Sequence, residues 1–171
     1  MSKGIGGHQS HKSVTSEWLT PPEIITALGD FDYDPCPASN QVPGDHGMGC
    51  PDPFPVTNSL LTEWPEFSRI WLNPPYSSKI EPWLKKLADH GSGTALIFAR
   101  TETRAFYNQV WQRADALLFI HNRLHFHHNS GERSKNNSGA PSVLIAYGKR
   151  DAIALRNAKI DGHYIDSWRR N

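Results

Sequence analysis

The sequence predicts one α/β domain with a largely parallel central sheet. Its length, 171 residues, suits a single domain of ordinary size. Three nearly continuous apolar runs, at residues 94–99, Ala116–Ile120 and Ser142–Tyr147, have the composition of strands that are covered on both faces. Segments in which apolar residues recur at helical spacing are interspersed with the predicted strands. This alternation is typical of α/β domains with parallel sheets.

The first helix is indicated by the residues at its two ends. Thr20 is a suitable N-cap residue, and Pro21 and Pro22 fit a first helical turn. Apolar residues at positions 24, 25 and 28 share one face, and Gly29 ends the helix. The other elements predicted before residue 100 are, in chain order, a mobile arm at 1–16, a strand at 31–34, a long loop at 35–59, a strand at 69–72 and a helix from Ile80 to a stop at Gly91.

Further strands and helices are predicted in the second half of the chain. They are a helix around residues 105–111, a strand at Ala116–Ile120, a strand at 123–127, a polar loop at 128–139, a strand at Ser142–Tyr147 and a helix at 151–158. We expect residues 17–160 to form the domain and residues 161–171 to form a polar, basic tail. Sheets of this kind bind ligands beyond the carboxyl ends of their strands, so we expect functional residues there.

The net charge of +1 conceals an uneven distribution of charge along the chain. Residues 1–99 contain six basic and eleven acidic residues, whereas residues 100–171 contain twelve basic and six acidic ones. A basic second half suits a polyanionic partner such as nucleic acid. The alternative is that the two halves interleave in the fold, so that their opposite fields cancel at the surface.

Composition also bears on compartment. No run of about 18 apolar residues is present, so we predict no membrane span. The first 17 residues lack the apolar core that a secretory signal needs. Two cysteines, Cys36 and Cys50, do not make a disulfide framework. We therefore expect a cytoplasmic protein.

The motif with the clearest chemistry is Asn73-Pro74-Pro75-Tyr76, which directly follows the predicted strand at 69–72. Two consecutive prolines fix two φ angles, so this turn is stiff. It can hold the Asn73 side-chain oxygen and a proline carbonyl at a fixed separation, where both can accept hydrogens from one exocyclic amine. The Tyr76 ring offers a surface on which a flat heterocycle can stack. An alternative is a rigid turn with a core tyrosine.

Four segments together resemble the bacteriophage N6-adenine DNA methyltransferase family, a small Dam-like group that uses S-adenosylmethionine (AdoMet). In chain order they are Glu17-Trp18-Leu19-Thr20-Pro21-Pro22, Phe31-Asp32-Tyr33-Asp34-Pro35-Cys36, Trp71-Leu72-Asn73-Pro74-Pro75-Tyr76-Ser77 and Arg123-Leu124-His125-Phe126. The resemblance implies an α/β class I methyltransferase domain, Rossmann-like, with a mainly parallel sheet. It also implies double-stranded DNA as the partner and, for a phage-type enzyme, a bacterial host cytoplasm.

The resemblance further implies roles for individual residues. Asn73, Pro74, Pro75 and Tyr76 become the catalytic set. Hydrogen bonds from adenine N6 to the Asn73 side chain and the Pro74 carbonyl would strengthen as positive charge develops on N6. Because a base inside a duplex cannot reach such a pocket, we expect the adenine to be flipped out and stacked on Tyr76.

The AdoMet candidates lie in three segments. They are Trp18, Thr20 and Pro21 at the start of the first helix, Asp34, Pro35 and Cys36 after the first strand, and Asn58 on the adenine side of AdoMet. The ordinary alternatives are an N-cap with a tryptophan anchor, a surface carboxylate and a loop. The segment after Asp34 also lacks the Gly-x-Gly turn that brings a backbone close to a cofactor.

The candidates for contacts with DNA are basic residues after the strands and in the polar loop. They are Arg100, Arg123, Arg133 and Lys135. An ion pair with Glu102 is an equal alternative for Arg100, and the loop at 128–139 fits a solvated hairpin as well as a DNA contact. Histidines at 121, 125, 127 and 128 lack partners at a recognised metal-ligand spacing, so we predict no metal site.

Two other functions remain open. A motif of this type also suits an amino-methyltransferase that acts on cytosine N4, RNA or a protein glutamine, although the basic second half favours nucleic acid. The missing Gly-x-Gly turn instead suits a catalytically inactive DNA-binding module.

Overall fold

The computed structural model describes residues 18–37, 59–74, 80–128 and 130–168. The predicted arm at 1–16 and most of the predicted loop at 35–59 lie outside these residues. The described elements are α1 (Pro22–Leu28), β1 (Ile70–Leu72), α2 (Ile80–His90), β2 (Gly93–Phe98), a π-helix (Phe106–Trp111), β3 (Ala116–Ile120), β4 (Ser142–Tyr147), α3 (Lys149–Asn157) and β5 (Gly162–Ile165).

The five strands form one mixed sheet in the order β1-β2-β4-β3-β5. The α/β class is therefore confirmed. The mainly parallel sheet is not confirmed, since β1 and β2 pair in parallel and the other three described pairings are antiparallel. The reason is that β4 returns between β2 and β3 and runs against both. Apolar runs predict that a strand is buried, but they do not predict the direction in which it runs.

Three strands nevertheless share one direction. β2 and β3 are each antiparallel to β4, and β1 is parallel to β2. A single parallel bridge between Tyr33 and Ile70 aligns the preceding segment with β1. The carboxyl ends of β1, β2 and β3, together with the residues that follow Tyr33, therefore lie at one edge of the sheet. We call this edge the carboxyl edge.

Side chains that alternate along the strands build a core on each face of the sheet. Ile70, Leu72 and Ile97 pack on the face that also carries the buried residues of α2. Trp71 and Leu96 pack on the opposite face, with the apolar residues of α1. Asn73 is two residues beyond Trp71, so strand periodicity directs its side chain toward the α1 face.

The helix predictions were largely confirmed. α1 buries Ile24, Ile25 and Leu28 and ends at Gly29, which has a φ of 83°. The predicted N-cap by Thr20 is wrong: Pro21 occupies that position without a side-chain cap, and the Thr20 hydroxyl contacts Asn73 instead. The helix predicted around residues 105–111 contains the π-helix.

Two predicted strands are not regular strands. The segment at 31–34 forms only the bridge at Tyr33, and the segment at 123–127 forms only bridges at His127. In the second case, backbone groups of residues 124–128 bond irregularly to Leu19 and to residues 131–138. An additional strand, β5, lies within the stretch expected to be a polar tail. It pairs with β3. Its four residues are exposed or half-buried, so the segment has no apolar run that would have predicted a strand.

A buried ion pair links elements on one side of the sheet. Arg69 Nε donates to Asp151 Oδ1 over 2.8 Å, and the two side chains are 3% and 0% exposed. The Thr94 hydroxyl also donates to Asp151, while Arg69 Nη1 donates to the Leu28 and Asp30 carbonyls. The end of α1, the start of β1 and the start of α3 are therefore held together opposite the carboxyl edge.

Candidate active site

Asn73 immediately follows β1 at the carboxyl edge, where its side chain is half-buried. Its amide nitrogen, Nδ2, lies 3.4 Å from the Trp18 carbonyl oxygen and 3.4 Å from the Thr20 hydroxyl oxygen. Its amide oxygen, Oδ1, is inaccessible to solvent and has no hydrogen-bond partner among the described residues. A buried acceptor without a donor costs free energy, which makes it a natural place for a ligand hydrogen.

The chemistry of Trp18 determines which way the Asn73 amide faces. A backbone carbonyl can only accept a hydrogen bond, so the group next to it must be the amide NH2. Rotating the amide by half a turn would place two acceptor oxygens against each other. The two contacts of Nδ2 therefore hold Oδ1 on the side of the amide away from Trp18 and Thr20.

The segment that contains Trp18 and Thr20 is fixed from both sides. The backbone of Leu19 exchanges two hydrogen bonds of 2.9 Å with the backbone of His127. Pro21, the residue after Thr20, is the N-cap residue of α1. Leu19 and Thr20 are only 4% and 5% exposed. The acceptors for Asn73 therefore sit on a rigid support.

Asp34 is a buried carboxylic acid beside β1. The Tyr33 carbonyl accepts a hydrogen bond of 3.0 Å from the Trp71 amide, which places the next residue, Asp34, near the carboxyl edge. Burial raises the pKa of Asp34 to about 7, although a hydrogen bond from the Cys36 backbone opposes the shift. That bond joins Cys36 N to Asp34 Oδ1 over 2.8 Å.

Cys36 packs its half-buried thiol against the core on the α2 face of the sheet. Burial raises the pKa of this thiol, and the negative charge of Asp34 adds a smaller increase. Cys36 is therefore a neutral, weakly polar side chain at neutral pH rather than a nucleophile.

Residues 123–128 and 130–138 form the two halves of an irregular hairpin. Arg123 donates to the Ser138 and Gly139 carbonyls over 3.3 Å and 2.9 Å, so its guanidinium closes the base of the hairpin. Arg133 and Lys135 are exposed on the returning half. The Leu19–His127 pairing attaches this hairpin to the segment that holds Asn73.

Arg100 follows β2 and is exposed at the same edge of the sheet. Its carbonyl accepts hydrogen bonds from the backbone and the hydroxyl of Thr103, which closes a tight turn. The alternative ion pair with Glu102 does not form among the described residues.

The structure brings some predicted site residues together and does not describe others. Trp18, Thr20 and Asn73 meet directly, and Asp34 contacts Cys36. The prolines that directly follow Thr20, Asp34 and Asn73 in the chain are also buried; they are Pro21, Pro35 and Pro74. Three predicted site residues, namely Asn58, Pro75 and Tyr76, lie outside the described part of the chain. Where side chains are described, no three histidine, cysteine or acidic side chains are grouped so that they could hold a metal ion.

Sequence reasoning missed two residues that shape the site. His127 supports Leu19 through its backbone, and the His128 ring packs against the Trp18 ring with centroids 5.0 Å apart. A backbone pairing between residues so distant in the chain leaves no mark in sequence spacing. The abundance of histidine in this segment was the only visible signal.

The class of protein follows from a comparison with known families. The family model described as DNA N-6-adenine-methyltransferase (Dam) matches residues 7–159 of the 171-residue chain. The chain belongs to this family, and it is an adenine-specific DNA methyltransferase. The resemblance seen in the sequence is thereby confirmed.

Membership of this family implies AdoMet as the methyl donor and DNA as the substrate. No curated protein and no solved structure matches the chain. Among the described residues, none of the helices is both long and apolar enough to cross a membrane.

Proposed function

We propose that the enzyme methylates adenine N6 after the base is flipped out of double-stranded DNA into a pocket formed by Asn73, Pro74, Pro75 and Tyr76. The observation that carries this proposal is the Asn73 side-chain oxygen, which is buried and unpartnered at the end of β1. An adenine amino group supplies the donor that this oxygen lacks. The Pro74 carbonyl would accept the second amino hydrogen, and the Tyr76 ring would stack on the base.

These acceptors favour the transition state over the ground state. The lone pair of N6 is delocalised into the purine ring, so the free amine is a weak nucleophile. As N6 forms its new bond to carbon and becomes tetrahedral, its hydrogens become more acidic and its hydrogen bonds to Asn73 and Pro74 strengthen. The proton can leave after methyl transfer, so no strong general base is required.

The residues around Asn73 fit the AdoMet that the family implies. AdoMet supplies a methyl group that its sulfonium has already activated. Asp34 is a buried carboxyl whose charged form is disfavoured by desolvation. Hydroxyl or ammonium donors of a ligand would stabilise that charged form. The half-buried Cys36, the Trp18 ring and the neighbouring Pro21 and Pro35 would line the pocket, with Asn58 on the adenine side. We propose these contacts together with a Rossmann-like class I methyltransferase fold.

Contacts with duplex DNA would come from exposed cations at the carboxyl edge and in the hairpin. Arg133 and Lys135 are free of ion pairs among the described residues and can meet phosphates. Arg100 is exposed at the end of β2. Arg123 would act near the DNA while its guanidinium also closes the hairpin.

Product analysis tests the reaction. The purified protein is incubated with tritiated AdoMet and DNA that lacks N6-methyladenine, and the DNA is then digested to nucleosides. We expect label in N6-methyl-2′-deoxyadenosine. Label only in N4-methylcytosine, or only in RNA or protein supplied in its place, would identify one of the other amino-methyltransferase activities.

Calorimetry with AdoMet tests the alternative of an inactive DNA-binding module. An enzyme is expected to bind AdoMet at about micromolar strength, roughly −8 kcal/mol. An absence of binding heat together with retained DNA binding would support the inactive module. The family match favours adenine in DNA over the other substrates.

A further inference from the structure

We propose that Thr20 is a positioning residue: its hydroxyl orients the Asn73 amide so that Oδ1 faces the adenine amine. The inference rests on the proposed role of Asn73 and assigns Thr20 a function other than contact with AdoMet. It starts from the two contacts of Asn73 Nδ2, which place Thr20 Oγ1 and the Trp18 carbonyl oxygen each at 3.4 Å.

Thr20 is suited to this role by its burial and its support. It is 5% exposed, and its backbone lies between the Leu19–His127 pairing and Pro21, the N-cap residue of α1. A buried hydroxyl with little freedom can define the direction of an amide more closely than mobile water could. Its side chain does not cap α1. The hydroxyl oxygen instead accepts a hydrogen bond from Asn73 Nδ2.

Two acceptors on Nδ2 have two consequences for Oδ1. They prevent the amide from turning over, since the reversed amide would place Oδ1 against the Trp18 carbonyl. They also polarise the amide, because donating hydrogen bonds from the nitrogen increases the negative charge on the oxygen. Both effects help Oδ1 to accept a hydrogen from an amine that gains positive charge during the reaction.

The test compares Thr20→Val with Thr20→Ser in the full-length protein. Valine keeps the branched shape of threonine but cannot accept a hydrogen bond, whereas serine keeps the hydroxyl. We expect Thr20→Val to lower kcat about 3- to 10-fold, which corresponds to the loss of one neutral hydrogen bond. KM for DNA and Kd for AdoMet are expected to stay within twofold of the wild-type values, and Thr20→Ser is expected to restore most of kcat.

Controls separate this role from a structural one. Thr26→Val, at an exposed position of α1, should leave kcat unchanged, and thermal midpoints report folding for every variant. If Thr20→Val lowers the folded fraction, Thr20→Ala provides the same loss of acceptor with less bulk. In an Asn73→Ala background, Thr20→Val should have no further effect on kcat, because the group that it positions is gone.

Several outcomes would overturn the proposal. Unchanged kcat in Thr20→Val, or an equal loss in Thr20→Ser, would show that the hydroxyl does not position Asn73. Weaker AdoMet binding with unchanged kcat at saturation would make Thr20 a cofactor contact instead. Wild-type activity of Asn73→Ala would refute the proposed function itself, which is a separate result from failure of Thr20.

Discussion

The amide nitrogen of Asn73 lies 3.4 Å from the carbonyl oxygen of Trp18, although the two residues are 55 positions apart in the chain. This contact joins the end of the first strand to the segment that opens the first helix. It presents one side of the Asn73 amide to the protein and leaves the other side, Oδ1, without a partner among the described residues. The geometry therefore prepares one acceptor at the carboxyl edge of the sheet.

Replacing Asn73 tests whether this acceptor contributes to catalysis. We expect Asn73→Ala to lower kcat by about 10²- to 10³-fold, as observed when one preorganised hydrogen-bonding group is removed from other active sites. AdoMet affinity should change little. The thermal midpoint should fall modestly, because the variant also loses the two 3.4 Å contacts of Nδ2 with Trp18 and Thr20. Single-turnover rates with tritiated AdoMet measure the effect. Asn157→Ala, at an exposed position at the end of α3, serves as the matched control.

Asp34 is expected to make stability depend on pH. Its pKa is raised from 3.8 to about 7 by burial, so the folded protein binds this proton more tightly than the unfolded chain does. The stabilising contribution of the protonated form is fully present below about pH 4 and is lost as the pH rises through 7. The Asp34→Asn variant does not lose this contribution. Its free energy of unfolding, measured relative to that of the wild type, should therefore increase as the pH rises from 5 to 8.

Urea unfolding at pH 5 and pH 8, without AdoMet, measures this difference. Asp30→Asn, at an exposed position, controls for the loss of one negative charge. An equal change in the unfolding midpoint at both pH values would show that Asp34 does not titrate in this range.

Exposed cations of the hairpin are expected to contribute to DNA affinity through phosphates. Arg133→Ala and Lys135→Ala should each reduce the slope of log Kd against log salt concentration by about 1. Lys149→Ala is the matched control, because α3 starts after the end of β4, at the edge opposite Asn73. Fluorescence anisotropy with a DNA duplex at several salt concentrations gives these slopes. If Lys149→Ala changed the slope as much as the hairpin variants, the DNA surface would not be confined to the carboxyl edge.

Removing the carboxylate of the buried Arg69–Asp151 pair is expected to lower the free energy of unfolding more than removing an exposed carboxylate does. Asp151→Ala leaves a buried guanidinium without its carboxylate, which costs about 3–5 kcal/mol of unfolding free energy. Asp89→Ala removes a carboxylate that is half exposed and paired with Lys85 and Arg113, and it should cost about 1 kcal/mol or less. Denaturant titration of both variants provides the comparison. Equal losses would mean that burial does not distinguish the two carboxylates.

Much of the local structure could be predicted from the sequence. The apolar runs at Ala116–Ile120 and Ser142–Tyr147 form strands with those same bounds, and Gly29 and Gly91 follow the ends of α1 and α2 as expected. These features depend on residues close together in the chain. The segment at 123–127 failed as a strand because its backbone bonds to Leu19 and to the returning hairpin, which are distant contacts that local spacing does not report.

The sequence by itself determined which segments are buried, where the stiff Asn73-Pro74 turn follows a strand, and the resemblance to the Dam family. Tertiary structure alone decided that β4 lies antiparallel between β2 and β3, and that the Asn73 amide is oriented by Trp18 and Thr20. The physical reason is that burial and backbone stiffness arise from neighbouring residues. Strand direction and the facing of a side-chain amide depend instead on hydrogen bonds between groups that meet only after the chain has folded.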